Sequence, residues 1–241
     1  MKNGKILKRI GILFLGYIIM MTGVSGCMQK NKLSINACLS YMKDKYGTEF
    51  TLVEGEEVSQ LTASMLEIYV KSADYPEEKV LVVEERLDNG NSILFHDNYV
   101  AVRYRQEAKN LAEKMAEDVF GECRVLYKVD DTLVQPDEFD NTTTFEEFIS
   151  DRASNIYFDV LVPPEHSDND KESELKKLEQ LCIENRFVCI CDVWYSTDEE
   201  VYWNSNSNVE LMKARLDHRW YTENGQFIMD NDFTVYHEMW R

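Results

Sequence analysis

Basic residues are scarce in this chain, and the short motifs that announce catalysis are missing. Lysine and arginine number 26 against 44 aspartates and glutamates, a formal charge of −18. Nucleic acids and anionic membrane surfaces call for a basic footprint, so neither is expected as a direct partner through charge, and the acidity is read first as a source of solubility. Glycine is also sparse, at 10 residues. No Gly-rich phosphate loop follows a strand-like run, which argues against a nucleotide-binding α/β fold. There is no G-x-S-x-G, no H-E-x-x-H and no P-loop. His96, His166, His218 and His237 are scattered, and His237-Glu238 is only half of a zincin start. The six cysteines form no C-x-x-C knuckle. No metal, cofactor or catalytic residue is therefore expected.

Long apolar runs are missing too, except at the start. Lys2, Lys5, Lys8 and Arg9 precede an apolar stretch from Ile10 to about Val24, which small residues close. Basic, apolar and small in that order is the layout of a secretory signal. The stretch falls slightly short of the roughly 18 to 20 residues of a spanning helix. Val24, Ser25, Gly26 and Cys27 resemble the lipobox of bacterial lipoproteins, which implies a diacylglyceryl group on the Cys27 thiol and cleavage just before it. Residues 1–26 are then a lipoprotein signal peptide and 27–32 a tether. Two acyl chains hold a protein stably on a membrane where one does so only marginally. The implied partner is the membrane, through the lipid on Cys27, and the implied location is its extracytoplasmic face. The competing readings are an ordinary signal with a coincidental cysteine, or an uncleaved membrane helix.

The first 26 residues carry four basic residues and no acid, leaving 22 basic against 44 acidic residues, a charge of −22. Apolar residues at 44% and aromatics at 12% suffice for one large core or two small ones. With Cys27 assigned to lipid, Cys38, Cys123, Cys182, Cys189 and Cys191 remain. Cys189 and Cys191 share a face of one strand-like run. Buried structural thiols are expected, with a disulfide such as Cys182 to Cys189, and after it a metal site, as the competing readings.

Hydrophobic periodicity organises the rest. Leu33, Ala37, Cys38, Tyr41 and Met42 have helical spacing up to Gly47, a C-terminal stop. Strands are expected over Phe50–Val53, Leu66–Val70, Val80–Glu84 and Ser92–Phe95, with a hairpin turn at Asp88–Asn91, an antiparallel meander. Val102–Phe120 reads as an amphipathic helix stopped by Gly121, and Cys123–Val129 as a strand. The polar stretch Asp130–Thr142 is the candidate boundary between halves at 33–135 and 140–241. Beyond it, Thr144 and Glu147 form a capping box, and Pro163-Pro164 ends the strand "NIYFDVLV". Glu172–Glu184 is a helix with Leu175, Leu178 and Cys182 inward, and Arg186–Trp194 a strand. A further helix is expected within Asn208–Leu216, and Asn224-Gly225 is a second hairpin signal. The fold class is α+β: antiparallel sheets with amphipathic helices packed on them, in two halves of similar size. Both halves run helix then strands, though no residues align between them.

Two clusters invite a functional reading. Asp168, Asp170, Glu172 and Glu179 have the spacing of a degraded calcium loop, but Ser173 stands where the turn needs glycine, and the segment reads instead as a helix cap. Trp194, Tyr195, Tyr202 and Trp203 lie beside acids and amides, the composition of a groove for a glycan or peptide, or of an ordinary strand edge and core.

"YMKDKYGTEFTLVE" (41–54) and "FHDNYVAVRYRQEAKNLAEKMAEDVFGECRVLY" (95–127) resemble a group of uncharacterised lipoproteins from Gram-positive, clostridia-like bacteria. Tyr46-Gly47 before a strand and Asp97-Asn98-Tyr99 entering a helix carry the resemblance. It implies an address and a fold, not an activity. The expected role is binding of an envelope protein or glycan, and the alternative is an envelope hydrolase of glycosidase type using paired carboxylates.

Overall fold

The computed structural model describes residues 34–54, 59–62, 64–87, 92–129, 134–135, 137–166, 169–204 and 221–240. The signal peptide, the lipobox with Cys27, the tether, the turn at 88–91 and the helix expected within 208–216 lie outside the described residues. The fold is α+β. It comprises two compact units, one running to His96 and the other from Asp97.

In the first unit, helix α1 (34–46) ends at Gly47, whose φ of 71° and N–H bond to the Lys43 carbonyl (2.8 Å) close the last turn. Five strands follow: β1 (Phe50–Leu52), β2 (Ser59–Thr62), β3 (Met65–Ser72), β4 (Val80–Leu87) and β5 (Ser92–Asp97). Their order is β1-β3-β4-β5, with β2 also on β3. Two short strands thus share one edge of β3, β1 against Val70–Ser72 and β2 against Met65–Glu67. Cys38 and Met42 of α1, Ile68 and Val70 of β3, and Val80, Leu81 and Val82 of β4 are sealed from solvent. Tyr41 stacks on Phe95 of β5 with ring centroids 5.0 Å apart.

The second unit opens with α2 (Tyr99–Phe120). Asn98 makes no capping bond with its side chain. Asp97 Oδ1 accepts from Tyr99 N–H and Gln135 Oε1 from Ala101 N–H, both at 3.0 Å, and satisfy two orphan donors in its place. Strand β6 (Arg124–Val129), helix α3 (Phe145–Ile149), strand β7 (Ile156–Val162), helix α4 (Lys171–Glu184), strand β8 (Ile190–Ser196), helix α5 (Glu199–Asn204) and strands β9 (Tyr221–Met229) and β10 (Val235–Trp240) follow. The sheet order is β10-β9-β8-β7-β6.

Three features depart from expectation. β6, before the polar stretch at 130–142, pairs with β7, after it, so the two lie in one sheet, and the two compact units part after His96. β7 and β8 are parallel, not antiparallel, because α4 carries the chain back to the starting end of the sheet. Asn224-Gly225 lies inside β9 and is not a turn; the hairpin turns at Asp230–Thr234, where Phe233 has φ 60°. Asn224 is buried, and its side chain faces Asp192, which outweighs its preference for turns.

Local signals hold elsewhere. Thr144 and Glu147 exchange capping bonds in both directions at α3. Asp170 caps α4 through Ser173 N–H at 3.1 Å, so the segment read as a degraded calcium loop is helix from Lys171 onward.

Candidate functional site

Alternation along β7 and β8 puts their side chains on two faces. Phe158, Val160 and Val162 stand in register with Cys191, Val193 and Tyr195 on one face. That face meets the helices: the Tyr195 ring lies edge-on to Phe120 of α2 (6.2 Å), and its hydroxyl donates to the Lys171 carbonyl of α4 (3.3 Å). The opposite face carries Tyr157, Asp159, Asp192 and Trp194. Asp159 and Asp192 stand directly opposite one another across the parallel pair. Asp159 is completely buried and Asp192 retains 6% of its surface.

A buried carboxylate survives only if hydrogen-bonded or paired, and these two are. Asp159 accepts from Lys128 Nζ at 2.7 Å, and from the Tyr157 hydroxyl and Trp194 Nε1 at 3.1 Å each. Asp192 accepts from Gln226 Nε2 at 2.8 Å, from Asn224 Nδ2 at 3.4 Å and from the same Tyr157 hydroxyl. Lys128 Nζ also stands 4.8 Å above the Tyr157 ring. Burial first, then the charge of Asp159 and the bond to Asp192, pushes the Tyr157 phenol far above its ordinary range. It therefore stays neutral and donates its one proton between two carboxylates. The result is a chain of polar groups spanning β6 to β9, with the Lys128 side chain 41% exposed at its edge.

The four aromatics named from the sequence do not share a surface. Trp194 lies in this cluster, half-buried, while its neighbour Tyr195 is sealed on the helical face, as adjacent strand residues must be. Tyr202 is also sealed: its hydroxyl donates to the Leu161 carbonyl at 2.8 Å, and the Arg124 guanidinium lies 5.0 Å from its ring. Trp203 is 40% exposed and edge-on to Tyr202 at 4.9 Å. Trp194 and Trp203 thus remain as aromatics that a ligand can reach. Asp159, Asp192, Tyr157 and Lys128 escaped the sequence reading. Their signal was present in "YFDVLV" and "CDVWY", where one acid interrupts each apolar strand.

Of the histidines, His96 lies 3.5 Å from Glu85 and His166 2.9 Å from Glu174. Among the described residues no group of three or more His, Cys, Asp or Glu side chains is placed to hold a metal ion. No helix among them is long and apolar enough to cross a membrane.

No protein-family model matches this chain, and no curated protein matches it. Among solved structures, it is similar to the crystal structure of a DUF5037 family protein from Ruminococcus gnavus ATCC 29149. The two share 12% identity at a TM-score of 0.41, over 84% of this chain and 94% of the other.

Proposed function

We propose that the chain is a lipid-anchored, extracytoplasmic protein that binds a protein or glycan of the cell envelope. The address rests on the order of basic segment, apolar segment and "VSGC" in residues 2–27. Binding is favoured over hydrolysis by one observation: the Asp159–Asp192 pair is enclosed by its own donors. A glycosidase needs one carboxyl at the leaving oxygen and another at the sugar carbon or a water. Here Lys128, Trp194, Tyr157, Gln226 and Asn224 occupy those directions instead. The same adjacency of two carboxylates is what keeps an envelope hydrolase as the second reading. In the binding reading the pair holds the sheet face rigid, and Trp194 and Lys128 at its edge, with Trp203 on α5, offer aromatic and cationic contacts to the ligand.

The address is tested by expressing the full chain in a Gram-positive host beside Cys27→Ala. Loss of processing and of membrane partitioning in the variant is expected, and unchanged behaviour of both would refute the anchor. The role is tested by pull-down from native envelopes with wild type, Trp194→Ala and Trp203→Ala. Both variants should fold and at least one should lose the captured component. Release of sugars from isolated cell wall by wild type, abolished in Asp159→Asn, would establish the hydrolase instead.

A further inference from the structure

Three thiols, Cys182, Cys189 and Cys191, are buried in the second unit and take no part in the cluster above. Cys182 sits on the last turn of α4, and Cys189 directly precedes β8. The turn between them is tightly held. Phe187 N–H bonds to the Cys182 carbonyl at 2.8 Å, Val188 N–H to the Ile149 carbonyl at 2.8 Å, and Met229 N–H to the Cys189 carbonyl at 3.0 Å. Arg186 takes a left-handed φ of 53° to make that turn, with its guanidinium 4.5 Å from the Phe233 ring. The outcome is that the Cys189 thiol points at Cys182 with the two sulfurs 4.0 Å apart. A disulfide needs about 2.05 Å, so the two sulfurs must come about 2 Å closer, across a turn whose backbone is already held by the bonds above. Cys189 also lines a cavity of about 100 Å³ whose wall includes Arg152, Asn155 and Ile228.

We propose that Cys182 and Cys189 form a reversible dithiol–disulfide pair, a redox modification site that a disulfide-bearing oxidant reaches through this cavity. The reaction is thiol–disulfide exchange. Cys189, as thiolate, attacks one sulfur of the oxidant, forming a mixed disulfide and expelling one thiolate, which takes up the proton Cys189 gave. Cys182 then attacks the Cys189 sulfur, forms the internal bond and expels the second half of the oxidant as a thiol. Two thiols of the protein are oxidised and one disulfide of the oxidant is reduced to two thiols. The product staples the end of α4 to the start of β8, the crossover that sets the parallel pair and with it the Asp159–Asp192 register. Burial, and then the bond to Cys182, holds the Cys189 thiol well above its ordinary range, so little of it is thiolate at neutral pH and the exchange is slow.

The test treats the folded full chain with 2-hydroxyethyl disulfide, a small uncharged probe, then denatures, alkylates and maps the peptides. Wild type is expected to lose two alkylatable thiols and to yield a Cys182–Cys189 linked peptide, both reversed by dithiothreitol. Cys191→Ser should behave identically. Cys182→Ser should stop at the mixed disulfide, one mercaptoethanol adduct on Cys189. Retention of every thiol in wild type, or a link through Cys191, would overturn the assignment, as would an adduct absent from Cys189 in Cys182→Ser.

Discussion

Asp159 and Asp192 face each other across two parallel strands and share the hydroxyl of Tyr157. Neither acid is reachable in the manner of a solvent-facing catalyst, and each is anchored by at least two further donors. At the edge of this cluster Trp194 is half-buried, with its Nε1 on Asp159, and the Lys128 side chain is 41% exposed.

Removal of that shared hydroxyl is the most direct probe of the arrangement. Tyr157→Phe leaves two buried carboxylates with one donor fewer each, which costs about 1–3 kcal/mol. Urea unfolding should show a lower midpoint at unchanged slope. A midpoint equal to wild type would show that the cluster does not hold the sheet.

The two tyrosines and tryptophans named together from the sequence should separate cleanly. Tyr202→Phe removes a buried bond to the Leu161 carbonyl and should lower stability by about 0.5–1.5 kcal/mol. Trp203→Ala alters a residue 40% exposed and should change unfolding little. Calorimetry on both variants checks the contrast, and equal losses would contradict it.

The capping box at α3 carries a pH signature. Glu147 accepts from the Thr144 backbone and hydroxyl, and these bonds lower its pKa below the ordinary glutamate value. A lowered folded-state pKa stabilises above the unfolded pKa, and the contribution disappears as pH falls through the folded one. Wild type should therefore exceed Thr144→Ala in thermal stability at neutral pH, with the gap narrowing in acid. A gap that stays constant down to pH 2 would refute the linkage.

Two helix ends depend on glycine. Gly47 and Gly121 have φ of 71° and 64°, and an added Cβ would meet nothing within 4 Å at either. The penalty for Gly47→Ala or Gly121→Ala is thus backbone strain alone, about 1–2 kcal/mol. Each should lower the unfolding midpoint without altering the far-UV spectrum.

Helix ends and caps were legible in the sequence because the groups that make them lie within a few residues of each other. Gly47, Gly121, the Thr144–Glu147 pair and Asp170 all act where the pattern placed them. Apolar runs of strand length likewise marked β3, β4, β6 and β7; burial alternates along β3, while β4 and β7 are buried almost throughout. The site was not legible in this way. "YFDVLV" and "CDVWY" each showed an acid in an apolar run, but nothing local says that the two acids meet.

What the sequence determined by itself, then, is short-range: the helices and strands with a clear apolar pattern, the caps and glycine stops that end the helices, and the lipobox resemblance that suggests an address. The tertiary structure decided the rest. It set β1 and β2 on one edge of β3, joined β6 to β7, and made β7 and β8 parallel through α4. It also sent Trp194 to one face of the sheet and Tyr195 to the other. The physical reason is that pairing and register are chosen by burial summed over a whole sheet. Asp159 and Asp192 are brought together by residues more than a helix apart in the chain.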